Sequence, residues 1–335
     1  LILDLDGVVY IGEHAVPGAI SSLNAVVDSV RITAATNNAS RTSEVVSAHL
    51  KRLGLNLEPG EVVTSAQAGA ALLADRVGDD ARILAIGGEG VAAALREQGL
   101  HPLRSTADHA ANDLLASEVE GVLQGHGQDT RWWDLSTAAW AISRGKTWVA
   151  TNRDLTVPTP YGLGPGNGSL VGALEAVTGI STTVAGKPEP TLFLETAHRI
   201  GASRPLIVGD RLDTDIDGAI AAGMDSLLVL TGVHQRRDAG LVERHVGQAQ
   251  VLVHPALGVH ARGQRPGGRS RARAPSRRYP PLARAVARGP ARDRRRAAAP
   301  GAPLECGRER YSARRHHRPA SAPGRGRDQI GRAHV

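Results

Sequence analysis

The sequence predicts an α/β protein built on a mostly parallel sheet with helices on its faces. Three observations carry this. Short apolar runs alternate with helical patterns from residue 1 to about 239, the rhythm of strand–helix–strand units. Several of those runs end in acids, amides or glycines, as strands do whose carboxyl edge forms a site. One run, LILDLDG, sets Asp4 and Asp6 two residues apart, so both carboxylates leave the strand on the same side.

Expected strands are 1–5, 31–35, 82–86, 121–123, 147–150, 205–208 and 226–230. Between them, Ala19, Leu23, Val26 and Val27 would form one helical face after Pro17-Gly18. Val46, Leu50 and Leu53 would form another, stopped by Gly54. Thr64-Ser65 reads as the cap of an Ala-rich helix, and residues 214–222 as a short helix closed by Gly223, with Asp213 as its cap. The Gly/Pro-rich stretch 158–168 reads as a loop leading to a helix near Ser169.

The chain of 335 residues is long enough for two domains. Its formal charge of +7 averages two unlike materials. Residues 262–335 hold 21 Arg, no Lys and four acids, a net +17; the remainder is −10. The body is therefore acidic, which argues against nucleic acid as its partner. The single cysteine, Cys306, allows neither an internal disulfide nor a cysteine-based metal site. No apolar run approaches a membrane span and no secretory signal is visible, so a cytoplasmic protein without a membrane partner is expected.

Arg, Ala, Gly and Pro supply 53 of the last 74 residues, without apolar periodicity. Such a segment cannot offset its ordering entropy, and 252–335 is expected to be a disordered basic tail. Those four residue types share GC-rich codons, as an out-of-frame reading would give, and the closing IGRAHV resembles a translated library adapter. An Arg-rich nucleic-acid-binding arm is the non-enzymatic alternative. At the other end the chain starts with Leu inside the first strand, so a truncated N-terminus is expected.

Four separated segments carry chemistry. They are Asp4-Leu5-Asp6-Gly7; Thr36-Asn37-Asn38 after the strand 31–35; Lys187 in Ala185-Gly186-Lys187-Pro188; and Gly209-Asp210-Arg211-Leu212-Asp213-Thr214-Asp215 after the strand 205–208. Two adjacent acids repel and want a cation or a proton. A carboxylate nucleophile, an acid/base, a hydroxyl, a lysine and further acids are what phosphoryl transfer requires. All-oxygen ligands favour Mg²⁺.

The ordered set resembles the phosphatases of the haloacid dehalogenase superfamily, in the subfamily whose α/β cap is inserted between the second and third motifs. The stretches TNNASRT, VTSAQA, PGNGSLVGAL, AGKPEP and VGDRLDTDI resemble its bacterial glycerol-3-phosphate and phosphoglycolate phosphatase branch. The resemblance implies a Rossmann-like core over 1–77 and 181–251 and a cap over 78–180. It implies that Asp4 attacks phosphorus to form an aspartyl-phosphate and that Asp6 is the acid/base. Thr36 and Lys187 would hold phosphoryl oxygens. Asp4, Asp210 and the Asp6 carbonyl would ligate Mg²⁺, with Asp215 behind them. Asn37 and Asn38 would adjoin the substrate, as would Asn152 and the run Gly166-Asn167-Gly168, where the cap folds over the site.

The implied reaction is hydrolysis of a small phosphorylated metabolite, with glycerol 3-phosphate first, then phosphoglycolate and other sugar or nucleotide monophosphates. Transfer to an acceptor other than water is a second reading. Gly88-Glu89-Gly90 mimics a dinucleotide fingerprint but is short and fits a tight turn in the cap. Trp132-Trp133 suits cap packing or a subunit contact, so any homo-oligomer is expected to form through the cap. His14 and His126 lack a second histidine at ligand spacing.

Overall fold

The computed structural model describes residues 1–159 and 161–233. The expectations for the tail and for residues 234–251 lie outside those residues. The first strand, Ile2–Leu3, is fully buried and occupies the middle of a five-stranded parallel sheet. Thr33–Thr36 and then Val62–Thr64 lie to one side of it; Leu206–Gly209 and then Asp225–Leu228 lie to the other. Chain order thus reverses direction at the first strand, the point where open α/β sheets form their crevice. The register aligns Ile2 with Thr33 and Ile207, so Asp4, Thr36 and Asp210 all emerge at one carboxyl edge.

A second α/β layer is inserted between Val62–Thr64 and Leu206–Gly209. Its sheet runs Thr183–Val184, Thr147–Ala150, Gly121–Gln124, Arg82–Ile86, His101–Leu103, with all neighbours parallel. Ser65–Ala74 joins the layers. Thr64 starts this helix by accepting from Gln67 N–H, and the Gln67 side chain accepts from Thr64 N–H, so the cap expected at Thr64 forms. The helix is Ala-rich because it packs in both directions. One buried cluster runs from Ile2 and Val63 through Ala66, Ala70 and Leu73 to Ile83, Leu123 and Val149.

Several elements differ from expectation. The helix after Pro17 covers only Ala19–Asn24 and fully buries no residue; Ile20 and Leu23 pack half-buried on the core, while Val26 and Val27 lie beyond its end and are exposed. The 158–168 loop is instead a hairpin, Thr156–Thr159 against Gly162–Pro165, and the next helix begins at Asn167. Leu212–Ile216 winds as a π-helical turn before the α-helix Asp217–Ala222, and Asp213 pairs with Arg211 rather than capping. Ser43–Leu53 forms as expected, closed by Gly54 in the left-handed region. Among the described residues no helix is long and apolar enough to cross a membrane.

Phe193, the chain's single phenylalanine, is fully buried in the helix Thr191–Arg199 beneath the site. Its ring centroid lies 6.0 Å from Lys187 Nζ. Phe193→Ala is expected to cost about 3–5 kcal/mol, measured by denaturant unfolding.

Candidate active site

Gly7 turns the chain at the end of the first strand. Its φ of 84° suits glycine, and an added Cβ would lie 2.6 Å from Asp210 Oδ2. The bend lets Asp4 and Asp210 face each other across neighbouring strands. Asp4 is buried, and its N–H donates to the Val208 carbonyl at 2.8 Å, extending the sheet by one rung. Lys187 reaches in from the turn before the helix Thr191–Arg199. Its ammonium, also buried, donates to Asp4 Oδ1 at 2.6 Å and Asp215 Oδ1 at 2.7 Å. Asp215 Oδ2 accepts from Arg211 N–H at 3.1 Å, and Asp210 Oδ2 from Val233 N–H at 2.6 Å.

Asp4, Asp210 and Asp215 each present an oxygen within 4.8 Å of the others. Among the described residues one ammonium pairs with two of these three buried carboxylates, Asp4 and Asp215. Burial pushes the Asp4 carboxyl up to about 8; Lys187 opposes this, while Asp215 and Asp210 reinforce it. Burial also raises Asp210, against the Val233 N–H. For Lys187, burial works downward, but the Asp215 and Asp4 carboxylates overcome it and hold the ammonium above the ordinary lysine value. A hard divalent cation fits this donor set, which offers only carboxylate oxygens and an excess of negative charge.

Asp6 lies at the mouth of the site, its side chain exposed on one flank. The protein around its other flank raises its carboxyl above the ordinary value, opposed by Arg41, Lys187 and His49. A carboxyl so placed is suited to carrying a proton. Thr36, the last residue of its strand, is buried, and its hydroxyl accepts from Asn38 N–H at 3.1 Å.

The amides serve the architecture. Asn38 Oδ1 accepts from Ser40 N–H and Oγ at 3.0 and 2.8 Å, folding back on its own turn. Asn37 brackets the Lys187 peptide and carries Asn152 on its carbonyl. Asn167 donates to the Asn152 and Gln124 carbonyls. The N–H groups of Gly166 and Gly168 are taken by the Leu155 and Asp154 carbonyls, so this run builds the 152–155 loop instead of presenting free N–H groups. Gly88 and Gly90 are not confined to a turn within the second layer either. A Cβ on Gly88 would lie 2.5 Å from the Ser40 carbonyl oxygen, and one on Gly90 as close to those of Ala39 and Arg41. The glycines let the helix Glu89–Glu97 dock on the loop after Thr36. Trp132 is exposed, while Trp133 lies under the Arg131 guanidinium.

Sequence reasoning assigned no role to Arg41, His49 or Asp154. Arg41 and His49 lie on or beside the helix Ser43–Leu53, and their charge reaches Asp6. Asp154 meets Asn37 from the second layer. Arg41 had a signal in the stretch TNNASRT, and Asp154 in the polar run Thr151-Asn152-Arg153-Asp154; His49 had none.

Two family models match this chain, a haloacid dehalogenase-like hydrolase over residues 1–101 and a HAD-hydrolase-like model over 184–252. The D-glycerol 3-phosphate phosphatase of Mycobacterium tuberculosis is 46% identical over 243 residues, covering 72% of this chain. The match spans 66% of that relative, just under two thirds of its length. An acid sugar phosphatase of Staphylococcus aureus is 34% identical over 242 residues, 71% of this chain and 88% of its own. A crystal structure of the M. tuberculosis glycerol phosphate phosphatase in complex with magnesium superposes with a TM-score of 0.66 at 45% identity, over 73% of this chain and 72% of that one. The chain belongs to the haloacid dehalogenase-like hydrolase family. The relatives named above are phosphatases.

The raised Asp4 carboxyl sets a pH dependence. Its folded value exceeds the unfolded 3.8, so metal-free stability is full below about pH 4 and falls as pH rises towards about 8. Asp4→Asn removes that penalty. It is expected to melt level with the wild type near pH 4 and on the order of 5 °C above it at pH 8 in chelator, measured by calorimetry.

Proposed function

We infer that this protein hydrolyses a small phosphomonoester. The observation that carries the reading is the buried Lys187 ammonium held between Asp4 and Asp215, with Asp210 beside them. Lys187 occupies one Asp4 oxygen and leaves the other to attack phosphorus. The P–O(ester) bond breaks as the Asp4–phosphorus bond forms, and Asp6 gives its proton to the departing alkoxide. Asp6 then takes a proton from water, whose oxygen displaces Asp4 and releases inorganic phosphate. Thr36 and Lys187 hold the phosphoryl oxygens. Asp4, Asp210 and the Asp6 carbonyl would hold Mg²⁺, which supplies charge neutralisation at the phosphoryl group and favours the ionised Asp4. Asp215 keeps Lys187 aimed at Asp4.

A catalytic core of 1–77 and 181–251 carries the motifs, and a cap of 78–180 covers them. Residues 183–184, counted here with the core, pair along the edge of the inserted sheet, so the 180/181 boundary falls within a crossing segment. The 46% identity to a D-glycerol 3-phosphate phosphatase supports glycerol 3-phosphate as the substrate.

The test is a screen of small phosphate esters with phosphate release as the readout. Hydrolysis is expected to be fastest with glycerol 3-phosphate, to stop in EDTA and to return with Mg²⁺. Asp4→Asn is expected to lower kcat by about 10³-fold or more while leaving the protein folded. A near-wild-type rate in that variant would overturn the mechanism, and preference for another ester would overturn the substrate.

A further inference from the structure

Asn37 clasps the backbone of one residue, Lys187, with both ends of its carboxamide. Its Oδ1 accepts from Lys187 N–H at 2.9 Å, and its Nδ2 donates to the Lys187 carbonyl at 3.2 Å. The same Nδ2 faces both oxygens of Asp154 at 3.3 and 3.4 Å. Asp154 thereby sets the amide's orientation. A flipped carboxamide would turn its oxygen on the Asp154 carboxylate and the Lys187 carbonyl, and its NH₂ on the Lys187 N–H.

The surrounding contacts leave this arrangement little freedom. Asn152 Nδ2 donates to the Asn37 carbonyl at 2.8 Å, and Asn152 Oδ1 accepts from Asp154 N–H at 3.2 Å. Gly186, next to Lys187, packs so closely on the Thr151 carbonyl and Asn37 Oδ1 that a Cβ would strike both. Among the described residues Asp154 makes no ion pair. Lys187 and Arg211 attract this half-buried carboxylate at longer range, but the group it touches directly is the neutral Asn37 amide, which it orients.

We propose that Asp154 is a positioning residue. Acting from the cap through Asn37, it fixes the Lys187 peptide, and with it the point at which Lys187 Nζ meets Asp4 and the transferring phosphoryl group. The cap then acts on the reaction through the core's own lysine, besides covering the site. The kinetic consequence rests on the phosphatase reading; the geometric one can be measured without turnover.

The chain has only three lysines, Lys51, Lys146 and Lys187. In protein labelled with ¹³C at lysine Cε, the Lys187 resonance is the one lost in Lys187→Arg. Asp154→Ala is expected to shift that resonance alone, leaving Lys51 and Lys146 in place. Asp154→Asn keeps an oxygen acceptor for Asn37 and is expected to hold it near the wild-type position. In steady-state hydrolysis, Asp154→Ala should lower kcat about tenfold with KM within about twofold, and Asp154→Asn should recover to within about threefold of wild type. Should the alanine variant not fold, Asp154→Ser serves as the same arm. An unmoved Lys187 signal with unchanged kcat overturns the proposal. So does an equal rise of KM in both variants with that signal unmoved, which would put Asp154 on the substrate. A wild type inactive on every ester, together with a shifted Lys187 signal in Asp154→Ala, overturns the phosphatase reading and upholds the coupling.

Discussion

The buried ammonium of Lys187 is the interaction on which the rest of the site depends. It touches Asp4 at the end of the first strand and Asp215 in the π-helical turn after the Leu206–Gly209 strand. Those carboxylates are more than 200 residues apart in the chain, and nothing else described holds both. Removing the amine would leave three acids in a low-dielectric pocket, where an unpaired charge costs about 3–5 kcal/mol. The lysine needs support of its own, which Asn37 gives at its peptide and Phe193 beneath its side chain.

Among the described residues the Lys187 ammonium pairs with Asp4 and Asp215, and the three carboxylates lie close together. Burial raises the carboxyls of Asp4 and Asp210 above their ordinary values, and a bound cation would lower them again. The geometry that destabilises the metal-free protein as pH rises from about 4 towards 8 is therefore the geometry that suits a divalent ion. Asp6 stands apart from this competition. It lies at the mouth, within electrostatic reach of Arg41 and His49 as well as Lys187, so its proton answers to different neighbours.

Much of this was legible in the chain. The carboxyl-edge placement of Asp4, Thr36 and Asp210 follows from apolar runs that end in polar residues, because a parallel sheet aligns its strand ends. The Thr64 cap and the Gly54 and Gly223 stops depend on local backbone chemistry and formed accordingly. The short strands Tyr10–Ile11, Val62–Thr64 and His101–Leu103 were not legible, since two or three residues carry no period. Nor was the Thr156–Thr159 hairpin, whose glycines and prolines read as a loop.

What the sequence determined by itself is the chemistry. Residue types in a fixed order carry the proposed roles, a nucleophile, an acid/base, a lysine and acids for a hard cation, because those identities do not depend on packing. The tertiary structure alone decided the partnerships: Asn37 on the Lys187 peptide, Asp154 on Asn37, and Gly88 and Gly90 against the Ala39, Ser40 and Arg41 carbonyls. Each joins segments from about 50 to 150 residues apart. An amide or a glycine is compatible with many partners, and only the docking of the inserted layer on the first sheet selects one.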